Sequence, residues 1–294
     1  MRSSGGPPSR TRPPRGSGNA RLALGVLATW PAVAATYGQA VVARRAFATP
    51  GAVRRALDQL GLHDLAGRAL TVRPLGTGKS NAVVAVDVAG GPRLVVKRAL
   101  PFGSMMAWGA RHFGANFVYA ADTRGAARIT RERAALEFLD RAGVAVPRCL
   151  AAAPAHELVA LAWVDGAPAA TAMYGAGGEA LAGEVGALLR RVHDLGVTLA
   201  DGHPGNMLVE HGTGRLVLFD LEFAEVDGAT AARRGFDLAY AALLVPTAAH
   251  VDALLAGYGP RDAADRDAYD QAARHVRRFG RLLAMERARW APPA

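Results

Sequence analysis

Three side chains in the second half of the chain have types and spacing suited to phosphate chemistry. Asp201-Gly202-His203-Pro204-Gly205-Asn206 places an amide five residues after a carboxylate, and the apolar run Leu216-Val217-Leu218-Phe219 ends on a second carboxylate, Asp220. Such a trio can converge on one point. Mg²⁺ takes hard oxygen ligands and keeps several waters, so Asn206 and Asp220 with the phosphates of a nucleotide make a sufficient metal site. Asp201 is then left to orient and deprotonate an attacking hydroxyl. A polar loop capping a hairpin needs no asparagine at that offset, and only Asn19, Asn81, Asn116 and Asn206 occur in the chain.

The lysines are the second signal. Of 35 Lys and Arg residues only Lys79 and Lys97 are lysines. An ammonium is a compact point charge on a flexible stem and suits a crowded phosphate site. Lys79 lies in Gly76-Thr77-Gly78-Lys79-Ser80, which looks like the tail of a Walker A loop. That motif needs a glycine where Arg73 stands, and it must open a helix; here it runs into the strand-like Asn81-Ala82-Val83-Val84-Ala85-Val86-Asp87-Val88. What remains is a glycine-rich turn between strands, whose small residues let backbone N–H groups approach a phosphate. Lys97 closes the apolar run Leu94-Val95-Val96. It could form an ordinary surface ion pair with Glu132, worth little, but a lysine ending an apolar strand points to a cleft.

The elements that must position these groups follow from pattern. With 294 residues and 51% apolar content the chain can bury a sizeable core, and one cysteine, Cys149, forms no internal disulfide. The net charge of +10 is uneven: nine arginines precede the first acid, Asp58, so the remaining body is nearly neutral. The charge therefore describes a basic N-terminal tail and gives little reason to expect specific nucleic-acid binding. Residues 1–20, rich in Gly, Pro, Ser and Arg, read as disordered. Residues 21–65 read as a helical extension; its uncharged stretch 22–43 is nominally long enough for a membrane but is broken by Gly25, Pro31, Gly38 and Gln39, which favours packing on the protein's own surface.

From about residue 66, strand, glycine turn, strand, turn, strand is followed by an irregular insertion over 101–128 and a helix from 129 to 142 that ends at Gly143 and Pro147. Met105, Met106 and Trp108 read as packing within the insertion. Leu158 to Val164 reads as a buried strand. Helices are then expected over 178–195, 236–243, 249–257 and 264–289, with an extended pair at 206–209 and 216–219. His193-Asp194 reads as a helix C-terminal feature. A β-rich N-lobe (66–164) and a helical C-lobe (165–294) with a cleft between them is the expected α+β architecture.

On these residues the chain resembles the protein-kinase-like superfamily, and within it the aminoglycoside-phosphotransferase and lipopolysaccharide-kinase type of small atypical kinase. The family's catalytic loop commonly reads His-Gly-Asp-Leu-His-Pro-Gly-Asn; Leu199-Ala200-Asp201-Gly202-His203-Pro204-Gly205-Asn206 is similar. The resemblance implies a two-lobed protein-kinase-like fold with a short, mostly helical C-lobe. It also implies that Asp201 is catalytic, that Asn206 and Asp220 hold Mg²⁺, and that Lys97, paired to Glu132, holds ATP phosphates under the turn carrying Gly76, Gly78, Lys79 and Ser80. Gly143-Val144-Ala145-Val146-Pro147 and the buried-aspartate motif Phe236-Asp237-Leu238-Ala239 also fit. Trp163 and Val164 fall at the inter-lobe hinge, where adenine meets backbone groups. The family's loop histidine is replaced by Leu199, and Leu221-Glu222 stands in place of Phe-Gly.

The expected activity is an ATP-dependent kinase transferring a γ-phosphoryl group to a hydroxyl of a small molecule or glycolipid sugar. Two alternatives remain: an atypical protein serine/threonine kinase, and a non-catalytic nucleotide-binding module. Only 16 residues separate Asp220 from Asp237, little room for a peptide-docking segment. A cytoplasmic setting is expected, with the basic N-terminus able to meet an anionic surface on the inner face of the membrane.

Overall fold

The computed structural model describes residues 38–75, 80–100, 122–277 and 280–292. A five-stranded antiparallel sheet dominates the N-terminal part, in the order β1 (Leu70–Pro74), β2 (Asn81–Val88), β3 (Arg93–Ala99), β5 (Leu158–Ala162), β4 (Cys149–Ala153). β2 and β3 are buried on both faces, which their Val- and Ala-rich runs require. One face, carrying Val84, Val86, Leu94 and Val96, shares a core with α1 (38–47), α2 (Pro50–Gln59) and α3 (His63–Ala66) through Ala40, Phe47, Val53 and Leu57. The opposite face meets α4 (Gly125–Arg141) through Ile129, Leu136 and Leu139. Side chains alternate along β3, so Val96 faces the first core while Val95, Lys97 and Ala99 face α4.

That alternation decides where Lys97 goes. The buried stripe of α4 runs Arg128, Glu132, Ala135, Leu136, Leu139, a spacing that puts all five on one helical face. Its first two turns are charged and the rest apolar, so the helix brings an arginine and a glutamate to the end of β3 where Lys97 sits.

The C-terminal part is helical: α5 (Ala169–Ala172), α6 (Gly178–Asp194), α7 (Ala231–Leu244), α8 (Ala248–Tyr258), α9 (Ala263–Val276) and α10 (Gly280–Ala288). α6 crosses α8 at a distance only glycine permits: a Cβ on Gly186 would lie 2.0 Å from the Leu254 carbonyl oxygen, and one on Gly257 1.9 Å from that of Gly183. At the junction, β6 (Gly166–Pro168), β7 (Met207–Glu210) and β8 (Leu216–Leu218) form a second antiparallel sheet that presents the residues flanking it, Asn206 and Asp220.

Several elements differ from the sequence expectation. α4 starts at Gly125, inside the stretch read as insertion, because Arg128 makes buried contacts that draw the first turn into the core. α7 starts at Ala231, where Thr230 Oγ1 accepts from the Arg233 N–H. The single helix expected over 264–289 is two helices, α9 and α10. β4 and β6, which were not expected, owe their strand form to pairing with β5 and β7. The uncharged stretch 22–43 lies outside the described residues up to 37; its remainder belongs to α1, where Ala40 is buried. Among the described residues no helix is long and apolar enough to cross a membrane.

Candidate functional site

Lys97 is 5% exposed and surrounded by acids. Its Nζ lies 3.0 Å from Glu132 Oε1 and 2.9 Å from Oε2, 3.3 Å from Glu222 Oε2, and in close contact with Asp220 Oδ1. Burial alone would favour the neutral amine, but Asp220, Glu132 and Glu222 together outweigh it and hold the ammonium well above the usual lysine range. The two buried carboxylates respond differently. Burial, opposed by Lys97 and assisted by Asp220 and Glu222, pushes the Glu132 carboxyl up to about 7. Glu222 is equally buried, but Lys97, Arg128 and the donors Asn81 and Ser80 bring it down to about 2.

Sequence reasoning gave no role to Glu222, Arg128 or Asn81, yet they form the floor of this cluster. Asn81 Nδ2 donates to Glu222 Oε2 at 2.9 Å and Ser80 Oγ donates to Oε1 at 3.0 Å. Arg128, fully buried, donates to Glu222 Oε2 through Nε (3.3 Å) and Nη2 (3.1 Å). A signal existed in the glutamate two residues beyond Asp220, although no simple rule singles out Arg128 among 33 arginines.

The Asp201 loop is held by its backbone. α6 ends at Asp194; the following Thr198 pairs with Glu225, and then Leu199 and Ala200 donate their N–H groups to Asp237 Oδ2 (2.7 Å) and Oδ1 (2.8 Å). His193 does more than cap a helix. Its buried ring lies 3.2 Å from Asp237 Oδ2 and 2.8 Å from the Tyr258 hydroxyl, so it braces the same aspartate from α6. Ala200 takes a left-handed conformation (φ 60°), turning the chain so that Asp201 leaves the anchored stretch.

Asn206 Nδ2 donates to the Asp201 carbonyl (2.9 Å) and to Asp201 Oδ2 (3.1 Å). The Asn206 carbonyl in turn accepts the Phe219 N–H at 3.0 Å, and the β7–β8 ladder continues from Met207 opposite Leu218. Asp220, the next residue, also sits at positive φ (61°). A continuous chain of contacts therefore runs from Asp201 through Asn206 and Phe219 to Asp220 and Lys97.

His203 Nδ1 accepts the Gly205 N–H at 3.0 Å, and its Nε2 lies 3.5 Å from Asp201 Oδ1. Burial lowers this imidazole to about 4, so the ring is neutral, with Nδ1 free to accept and the proton on the Nε2 facing Asp201. Tyr240 meets the ring edge-on and Trp290, beyond α10, lies against it at 5.6 Å.

A hard cation fits this set. Asn206 donates through its nitrogen, leaving the amide oxygen as ligand, and Asp220 is 30% exposed. With all three acids ionised, Glu132, Asp220 and Glu222 outnumber Lys97 and Arg128 by one; because Glu132 titrates near 7, that surplus negative charge develops as pH rises through 7. Among the described residues no group of three or more His, Cys, Asp or Glu side chains could hold a metal ion by itself.

Of the remaining expected positions, Gly76, Gly78 and Lys79, like Met105, Met106 and Trp108, lie outside the described residues. The Ser80 hydroxyl is turned to Glu222. The Trp163 backbone N–H donates to the Arg93 carbonyl at 3.4 Å, and the Arg93 guanidinium covers the indole ring. Val164 is half-buried in the stretch between β5 and β6.

Residues 71–200 match the model of the phosphotransferase enzyme family. Over that stretch the chain is phosphotransferase-like. The match takes in Lys97 and Glu132 and stops one residue before Asp201. Solved structures of similar architecture include the ADP/Mg²⁺-phosphoaspartate complex of the Rio2 kinase from Chaetomium thermophilum (17% identity, 78% of this chain and 76% of that one, TM-score 0.47). Macrolide 2′-phosphotransferase MphH from Brachybacterium faecium is similar at 17% identity (82% and 99%, TM-score 0.45), as is the Mycobacterium tuberculosis protein Rv3197 with erythromycin at 18% (90% and 85%, TM-score 0.41). No curated protein matches the chain.

Proposed function

We propose that this protein is a kinase-type phosphotransferase that moves the γ-phosphoryl group of ATP to a hydroxyl of a small molecule. The observation that carries the reading is the convergence of Lys97, Asp220, Asn206 and Asp201, drawn from both parts of the chain: side-chain bonds join Lys97 to Asp220 and Asn206 to Asp201, and the Phe219 N–H, one residue before Asp220, bonds the Asn206 carbonyl between them. Phosphoryl transfer asks a protein chiefly for position and charge neutralisation.

Each residue has a part it can perform from where it stands. The Lys97 ammonium, kept charged by its acids, meets phosphate oxygens. Asp220 and the Asn206 amide oxygen would hold Mg²⁺, which when bound neutralises charge on the phosphates. Asp201, steadied by Asn206 and by the neutral His203, takes the acceptor's proton as the hydroxyl oxygen bonds to phosphorus and ADP leaves. The short path from Asp220 to Asp237, filled by the Thr198–Glu225 pairing and the start of α7, favours a small acceptor over a docked peptide.

The test is ADP release with Mg·ATP across a panel of hydroxyl compounds (macrolides, aminoglycosides, free sugars and glycolipid headgroups), with Asp220→Asn as the blank. Release that depends on one acceptor class and is lost in the variant supports the reading. Equal release from both proteins overturns it.

A further inference from the structure

An ammonium group has three N–H donors, and at Lys97 three carboxylates compete for them. These acceptors are not equivalent. The Glu132 and Glu222 side chains are 1% and 2% exposed, whereas Asp220 is 30% exposed. Asp220 is also the acid assigned above to Mg²⁺, so its hold on Lys97 is the one that can be exchanged.

Glu222 has no such freedom. Its two oxygens receive Ser80 Oγ, Asn81 Nδ2 and both Nε and Nη2 of Arg128. Arg128 reaches further: Nη1 donates to the Leu100 carbonyl at 3.2 Å, and Nη2 to the Ser80 carbonyl at 2.7 Å and to Asn81 Oδ1 at 2.5 Å. One guanidinium thus ties α4 to the exit of the glycine-rich turn, to the end of β3 and to the segment following Asp220. Arg131, one turn along α4, adds a bond from Nη1 to the Glu222 carbonyl at 3.0 Å. A buried charge network of this kind adds little stability that well-packed apolar side chains would not supply, so its use is to be sought in position.

We propose that Glu222 is a second, permanent anchor of the Lys97 ammonium and that Arg128 positions Glu222, so the amine keeps its aim when Asp220 changes partner. The inference rests on the phosphotransferase reading above. It makes Glu222 and Arg128 positioning residues: neither is required to touch the nucleotide.

The experiment is calorimetric titration of the full chain with Mg·ADP in two backgrounds, wild type and Lys97→Met, each with and without Glu222→Gln. The Lys97–Glu222 contact is an ion pair at 3.3 Å, and close charge pairs couple by about tenfold or more in affinity. Glu222→Gln is therefore expected to weaken Mg·ADP about tenfold in the wild-type background and to cause no further loss where Lys97 is already gone. A merely structural glutamate would weaken both backgrounds alike; that result, or no loss in either, overturns the inference. Should Glu222→Gln fail to fold, Arg128→Lys, which keeps the charge but loses the planar fork, is read in the same two backgrounds by the same criterion. Wild-type protein that does not bind Mg·ADP overturns both this inference and the phosphotransferase reading. Binding by the wild type with equal losses overturns the inference alone.

Discussion

Around Lys97, position is set chiefly by charge: two cations and three carboxylates, four of these five side chains almost wholly buried, hold one another, with the Leu100 and Ser80 carbonyls accepting from Arg128 at the edge of the cluster. Around Asp201, position is set by the main chain: a buried aspartate receives two consecutive N–H groups, and a left-handed residue, Ala200, then turns the chain into Asp201. A charge cluster can rearrange its partners when a new ion arrives, whereas a loop fixed by its own amides cannot. The contrast suits the tasks proposed for them, since phosphates and metal must enter and leave one region while the base in the other needs a constant aim.

The comparison breaks most readily at Asp237. Replacing it with Ala leaves the Leu199 and Ala200 N–H groups and the His193 ring without this acceptor, and should cost about 4 kcal/mol of unfolding free energy in denaturant titration. A loss no larger than that of an ordinary surface substitution would mean that the loop is held by something else. The second break is by acid. His203 is kept neutral by burial and titrates at about 4, below its unfolded value, so its contribution is complete above pH 6.5 and is lost as pH falls toward 4. At ~1.4 kcal/mol per pH unit this amounts to about 3 kcal/mol, and His203→Gln should flatten that part of the stability–pH curve. Glu132, titrating near 7 and above its unfolded value, tilts the curve the other way: its contribution is fullest below pH 4.5 and declines as pH rises through 7. Wild-type and Glu132→Gln curves should therefore separate over that interval and run parallel above it.

The smallest effect sharpens the contrast. A Cβ on Gly205 would lie 2.5 Å from Trp290 Cζ2 and 2.7 Å from the His203 ring. Gly205→Ala should cost about 1–2 kcal/mol by overpacking, part of which is recovered when Trp290→Ala removes one neighbour. Equal losses in both backgrounds would show that Trp290 does not confine the loop.

The sequence made some of this legible and concealed the rest for physical reasons. Lys97 stood out because an apolar strand ended on one of only two lysines, and the Asp201–Asn206 spacing with the apolar run to Asp220 carried its geometry in one short stretch. Arg128 was hidden because its environment is assembled from Ser80, Asn81, Leu100 and Glu222, residues that no local pattern joins to it. The first turn of α4 was missed for the same reason, since its buried face is charged and shows no apolar period. β4 and β6 are short and gain their form from partners far along the chain. His193, read as a helix end, proved to brace Asp237 because α6 and α7 are brought together only in three dimensions.

The most direct test of the central claim is single-turnover transfer by Asp201→Asn beside a Mg·ATP binding isotherm for the same variant. The structure predicts that transfer falls by about 10²- to 10⁴-fold, the range for a positioned proton acceptor, while affinity for Mg·ATP changes little. Transfer at the wild-type rate, or loss of nucleotide binding in step with transfer, would contradict the assignment of Asp201 to the acceptor's hydroxyl.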